Sequence, residues 1–230
     1  MSIYRISGLL LVAALSLGAG KPAPAPVHAN WNATIALTPG GGHLLGNPAA
    51  PVKLVEYISY TCPHCAHFEV QADGALRVGY IAPGKVSVEV RHMLRDPIDL
   101  TVAMLTNCGP PSKFFLNHAA FMRSQSTWIQ PLVSVTPAQQ QRWGSGDPVT
   151  RRRHIATDFH LYQIIATRGY DRITADRCLA DQAMAERLAK QAEAGSALGV
   201  DSTPSFLLNE LLLTGTSDWR SLAPQIDARL

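Results

Sequence analysis

The apolar positions change period several times along the chain, and each change predicts an element. Val52 to Ile58 is an apolar-rich run between Pro51 and a cysteine pair, the pattern of a buried strand that feeds a helix. From there Cys65, Phe68, Ala72, Leu76 and Tyr80 recur every three to four residues. They mark one face of a helix that starts at Cys62 and stops at Pro83 and Gly84. Val86, Val88 and Val90 then alternate with Ser87, Glu89 and Arg91, a second strand of period two. Strand, helix and strand in that order predict a βαβ unit with parallel strands and a right-handed crossover.

From Leu100 to about Leu198 the spacing becomes helical throughout: Val102 and Leu105, Phe114 and Phe121, Ile155 and Phe159, Met184 and Leu188. The periodicity breaks only between Ser124 and Val149, where Pro131, Pro137, Gly144, Gly146 and Pro148 fall. Beyond Gly199, Ser205 to Leu208, a turn at Asn209 and Glu210, and Leu211 to Leu213 predict a β-hairpin. Glu210 is a poor match to a two-residue turn, where glycine is favoured. Asp218 is placed to cap a last helix carrying Leu222, Ile226 and Leu230, with Pro224 kinking it or marking its start.

The first twenty residues have another character: a single charge, Arg5, then the largely apolar run Gly8 to Leu17, then Gly18, Ala19 and Gly20. That is the pattern of an export signal, too short to span a bilayer, with cleavage expected after Ala19 or Gly20. Residues 21–45 are expected to form a weakly structured leader, since Lys21 to Asn30 holds three prolines and no apolar periodicity. The whole chain of 230 residues is 47% hydrophobic and 16% charged, which excludes a disordered protein. Its net charge is +3, about +2 beyond the signal, too weak to point to nucleic acid or an anionic membrane. Arg151, Arg152 and Arg153 form a basic run that reads as a solvated helix face.

Export changes how the four cysteines are read, because disulfides persist outside the cytosol. The spacing of Cys62 and Cys65 makes that pair the first bond to consider, which leaves Cys108 and Cys178. A C-x-x-C at the start of a helix places its first sulfur where unpaired amides and the helix dipole favour an anion. Pro63 suits the first helical turn, and the His64 side chain is expected to lower the Cys62 pKa further. A thiolate so stabilised leaves readily, so a Cys62–Cys65 disulfide is expected to be oxidising. Competing readings of the pair are half of a zinc site with His43, His67 or His92, an inert disulfide, and an isolated reactive thiol. For Cys108 and Cys178 the plainer reading is a structural disulfide stapling the helical block. The alternatives are a second redox pair or two buried thiols.

Two segments carry a resemblance. Glu56-Tyr57-Ile58-Ser59-Tyr60-Thr61-Cys62-Pro63-His64-Cys65, with Ser202-Thr203-Pro204-Ser205-Phe206 downstream, resembles the DsbA family of thiol-disulfide oxidoreductases over roughly Gly46 to Leu230. The resemblance implies an α/β, thioredoxin-like fold with a large inserted α-helical domain: residues 46–99 and 199–230 as the thioredoxin-like part, 100–198 as the insert. It further implies that Cys62 is the exposed nucleophile and Cys65 the resolving thiol. Pro204 would be a cis-proline that aligns substrate, preceded by Thr203, and Glu56 a buried acid serving proton transfer from Cys65. The basic residue that pairs with this acid in the best-known members is replaced near Ser87, and Thr203 is also similar to the corresponding residue of isomerases and reductases.

The expected function is therefore an exported, periplasmic or secreted oxidoreductase, a monomer without a cofactor. It introduces disulfides into unfolded or newly exported thiol proteins and is itself reoxidised by a membrane partner that the family suggests. A disulfide isomerase or reductase is the rival within the class. From another class, the rival is a non-catalytic exported peptide-binding or chaperone module.

Overall fold

A computed structural model of the protein describes residues 29–230, so the export signal and the first part of the leader lie outside the described residues. Strands β1 (Ile35–Leu37), β2 (His43–Gly46), β3 (Val52–Ile58), β4 (Val86–His92), β5 (Ser205–Leu208) and β6 (Leu211–Leu212) form one mixed sheet in the order β1-β2-β4-β3-β5-β6. β3 and β4 run parallel, joined by α1 (Pro63–Ala75), as the hydrophobic pattern predicts. The helical path continues as a π-type turn over Leu76–Ile81 before Gly84, whose φ of 75° ends it.

Residues 31–46 are a correction to the expected leader. A 3₁₀ turn, β1 and β2 occupy this stretch, and β2 pairs antiparallel with β4, so the segment satisfies its backbone groups on the sheet edge. Leu45 is buried, and the His43 ring stacks on Phe114 with centroids 3.8 Å apart.

The two faces of the sheet are covered differently. Leu54, Glu56, Val88, Val90, Phe206 and Leu208 share one face, where Phe68 of α1 meets Phe206 at 4.7 Å. Tyr57 and Leu207 lie on the other, under α9 (Gln182–Ala197). That close approach requires Gly195, since a Cβ there would fall 2.6 Å from the Tyr57 ring. Thus α9, placed by its sequence position in the inserted block, covers the sheet, and its Gln191 ties the His92 N–H to the Gly41 carbonyl.

The remaining helices are α2 (Pro97–Thr106), α3 (Phe114–Arg123), α4 (Gln125–Trp128), α5 (Pro137–Gly144), α6 (Pro148–Asp158), α7 (Leu161–Ala166) and α8 (Arg172–Ala180). Cys108, just past α2, is bonded to Cys178 of α8. A bridge closing a 70-residue loop contributes about 4 kcal/mol by the loop-entropy relation. The hairpin forms as expected, with Asn209 and Glu210 both at positive φ (48° and 71°), the turn geometry that favours glycine. Asp218 caps α10 (Trp219–Asp227), which carries Pro224 inside it; Leu222 and Ile226 are buried but Leu230 is half exposed.

Candidate active site

Cys62 ends the loop that leaves β3 and is the N-cap of α1, with Pro63 at the first helical position. Cys62 and Cys65 are both buried and unbonded to each other, which corrects the expectation of an exposed Cys62: its residue is covered and borders solvent space only as part of a cleft lining. From the far end of the chain, the Thr203–Pro204 peptide bond is cis, and it brings the Thr203 carbonyl oxygen to 3.1 Å from Cys62 Sγ. A cleft of about 450 Å³ opens over this meeting point, lined by Cys62, Pro63, His64, Leu94, Arg95 and Thr203 among others. Cys62, Pro63, His64, Cys65, Thr203 and Pro204 thus come together, while Cys108 and Cys178 form their own bond in the helical block.

The two sulfurs are pushed in opposite directions. Cys62 is lowered to about 5, chiefly because the Cys65 thiol donates to it; burial opposes this, and the backbone N–H groups of Cys65 and His64 reinforce it. Cys65 is raised well above the ordinary thiol range by burial, then by the Cys62 sulfur. One sulfur is therefore a thiolate at neutral pH and the other a thiol. His64 contributes its backbone N–H to the Cys62 sulfur, and its exposed side chain lines the same cleft.

Glu56 is 6% exposed and lies beneath the pair, with burial pushing its carboxyl well above the usual range. It is close enough to act on the charge of Cys65. A cavity of about 30 Å³, room for about one water, is lined by Glu56, Glu69, Asp73, Arg77 and His118. The neighbours of Glu56 across the sheet are Val90 and Phe206, whereas Ser87 pairs with Lys53 and points to the opposite face. The position that replaces a basic partner is therefore not Ser87.

The loop before Cys62 is held from both sides by residues that the sequence reading did not single out, although Asp96-Pro97 carries a helix-start signal of its own. Asp99 of α2 accepts from Tyr60 N–H at 2.7 Å and from Arg95 N–H at 3.1 Å. Asp96, the N-cap of α2, accepts from the Thr61 hydroxyl at 2.6 Å. On the other side the Gln125 amide donates to the carbonyls of Tyr60 (2.6 Å) and Cys62 (2.8 Å). Tyr60 also shares a 3.0 Å hydrogen bond with His118 Nδ1. A Gln125→Met chain keeps the length of the side chain but leaves two buried carbonyls without donors. It is expected to lose about 2 kcal/mol in urea denaturation and to show a higher midpoint for the Cys62 thiolate absorbance. Unchanged stability and an unchanged thiolate midpoint would remove Gln125 from the site. Of the imidazoles considered as zinc ligands, His43 and His92 both pack against Phe114 and His67 is exposed on α1; among the described residues no three His, Cys, Asp or Glu side chains are grouped to hold a metal.

With this geometry in hand, the comparisons with known proteins align. A family model described as Thioredoxin matches residues 38–228. A crystal structure of a protein-disulfide isomerase from Novosphingobium aromaticivorans is 56% identical, covers 82% of this chain and 97% of its own, and superposes with a TM-score of 0.79. Wolbachia pipientis alpha-DsbA1, 22% identical over 84% of this chain and 92% of its own with a TM-score of 0.65, shares the fold. A Rickettsia bellii protein provisionally named a protein-disulfide oxidoreductase is 30% identical over 129 residues, 50% of each chain. The chain spans about half the length of the curated relatives it matches.

Proposed function

The chain belongs to the thioredoxin family and has the fold of its DsbA-like members, and from that premise we propose that it is a thiol-disulfide oxidoreductase acting on exported proteins. The observation that carries the reading is the contrast between the Cys62 thiolate and the buried Cys65 thiol beside a cis-Pro loop. In the oxidised protein a substrate thiolate attacks Cys62 Sγ; the Cys62–Cys65 bond breaks, and Cys65 leaves and takes up a proton. A second substrate thiolate then attacks the substrate sulfur of the mixed disulfide and releases Cys62 as its stabilised thiolate. The substrate loses two electrons and the pair gains them, so a reoxidant must follow; a membrane protein in the same compartment suits that role.

The pattern of Arg5, the apolar run Gly8 to Leu17 and the small residues after it supports delivery across the inner membrane to the periplasm. Among the described residues no helix is long and apolar enough to cross a membrane. An isomerase is the second reading, favoured by the name of the 56% identical Novosphingobium protein. The experiment that separates them offers a reduced, multi-cysteine substrate to the oxidised protein and a scrambled substrate to the reduced one. Transfer of one disulfide per protein, with little repair of the scrambled substrate, is expected. Repair without net transfer would assign the isomerase instead.

A further inference from the structure

A second cleft, of about 320 Å³, lies between α2 and α6 and is continuous in its lining with the cleft over Cys62: Leu94 and Arg95 belong to both. Its walls are apolar, built by Leu94, Leu100, Trp143 and Ile155. Its polar lining is dominated by three cations, Arg95, Arg151 and Arg152. None of the three has a carboxylate within ion-pair distance among the described residues, whereas their neighbour Arg153 lies 3.6 Å from Asp176.

The hydrogen bonds of these arginines leave capacity unused. Arg151 Nε is buried without a partner, and its Nη1 reaches only the Gly144 carbonyl, at 3.4 Å. Arg152, 7% exposed, spends its donors on the Leu179 carbonyl and the Gln182 side chain. The acid in the cleft's lining, Asp96, and the nearby N-cap of α6, Asp147, hold hydrogen bonds of their own. Asp96 accepts from the N–H groups of Ile98 and Asp99 and from the Thr61 hydroxyl, and Asp147 accepts from Val149 and Thr150 N–H. The lining thus sets three guanidinium groups against the single carboxylate of Asp96, with none in an ion pair among the described residues, and such groups in a partly desolvated cleft form strong bidentate contacts when a further carboxylate arrives.

We propose that the cleft between α2 and α6 receives an acidic side chain, next to an apolar one, of the same polypeptide whose thiol reacts at Cys62. This inference rests on the redox reading of the Cys62–Cys65 pair and adds a substrate preference to it. The shared residues Leu94 and Arg95 supply the route, since an extended chain seated over Cys62 crosses them to enter the cleft. The apolar walls account for the neighbouring side chain, and the cations account for the acid.

The test uses the oxidised full chain and a set of cysteine peptides with glutamate, glutamine or lysine two to six positions from the cysteine, beside a leucine. Each exchange rate is normalised to the same peptide's rate with the neutral 2-hydroxyethyl disulfide, which removes differences in thiol acidity. Glutamate is expected to exceed lysine by about tenfold at the best spacing and low salt, and by less at high salt. In an Arg151→Gln chain the ratio falls to within about twofold, in Arg151→Glu it inverts, and in Arg220→Gln, on the distant α10, it persists. Equal rates for glutamate and lysine at every spacing, or a preference that survives Arg151→Glu, would overturn the proposal. Dithiothreitol, uncharged and too small to reach the cleft, is run alongside. If the oxidised chain fails to oxidise dithiothreitol, the redox reading fails and the substrate preference falls with it; a normal dithiothreitol rate without a charge preference rejects the cleft alone.

Discussion

A Cys62→Ser chain is expected to lose thiol-disulfide exchange down to the uncatalysed rate. Serine at this position has no ionised form near neutral pH and cannot share a disulfide, so the Cys65 donor and the N-cap amides are left with no thiolate to stabilise. Cys65 cannot substitute, because its thiol is held protonated and, unlike Cys62, it does not line the cleft. The converse change separates the roles. In Cys65→Ser the Cys62 thiolate attacks glutathione disulfide, expels one glutathione thiolate and is trapped as a mixed disulfide, since no internal thiol remains to resolve it. Gel-based alkylation and turnover of a reduced substrate check both variants. Exchange at the parent rate in Cys62→Ser would assign the chemistry to other residues.

The second large effect is in pH dependence. With the Cys62 thiol lowered to about 5 and Cys65 raised, reduction between pH 5 and 8 takes up two electrons and one proton. The potential of the pair is then expected to fall by about 30 mV per pH unit, steepening to about 59 mV per unit below pH 5, where both sulfurs are protonated. The sign for stability follows from the same shift. The folded pKa of Cys62 lies below its unfolded value, so the thiolate's contribution is complete above the unfolded thiol range and disappears as pH falls through about 5. The margin by which the reduced protein outlasts the oxidised one in denaturant is expected to widen by about 1.4 kcal/mol per pH unit over that window. Asp99, raised to about 7 by burial, and His43, lowered to about 4 by burial, hydrogen-bond to neither sulfur, which is why the comparison is made between the two redox forms. A uniform slope near 59 mV per unit from pH 5 to 8 would mean that Cys62 ionises as an ordinary thiol.

Much of the site was legible because its information is local. The C-x-x-C pair, Pro63 at the first helical position and the alternating Val86, Val88 and Val90 each act over a few residues, and β3, α1 and β4 formed as their periods indicate. The hairpin was legible for the same reason, even though Glu210 takes up a positive φ that its residue type disfavours. Strands β1 and β2 were hidden by their shortness and by the glycines at 40–42 between them, and only pairing with β4 gives them order. Gln125 was hidden more deeply. It sits in the stretch where proline and glycine break the helical period, and its two carbonyl partners are 63 and 65 residues away. A contact of that separation leaves no trace in a local pattern. The environment of Glu56 also required the sheet register, which places Val90 beside it and turns Ser87 to the opposite face.

The most direct measurement equilibrates the protein in graded glutathione buffers, traps free thiols by alkylation and locates them by peptide mass. On this account Cys62 and Cys65 titrate together as one two-electron couple, well above the roughly −300 mV below which structural disulfides lie, while Cys108 and Cys178 stay bonded throughout. A Cys62–Cys65 pair that resists reduction like a structural bridge, or that never forms a disulfide, would contradict it.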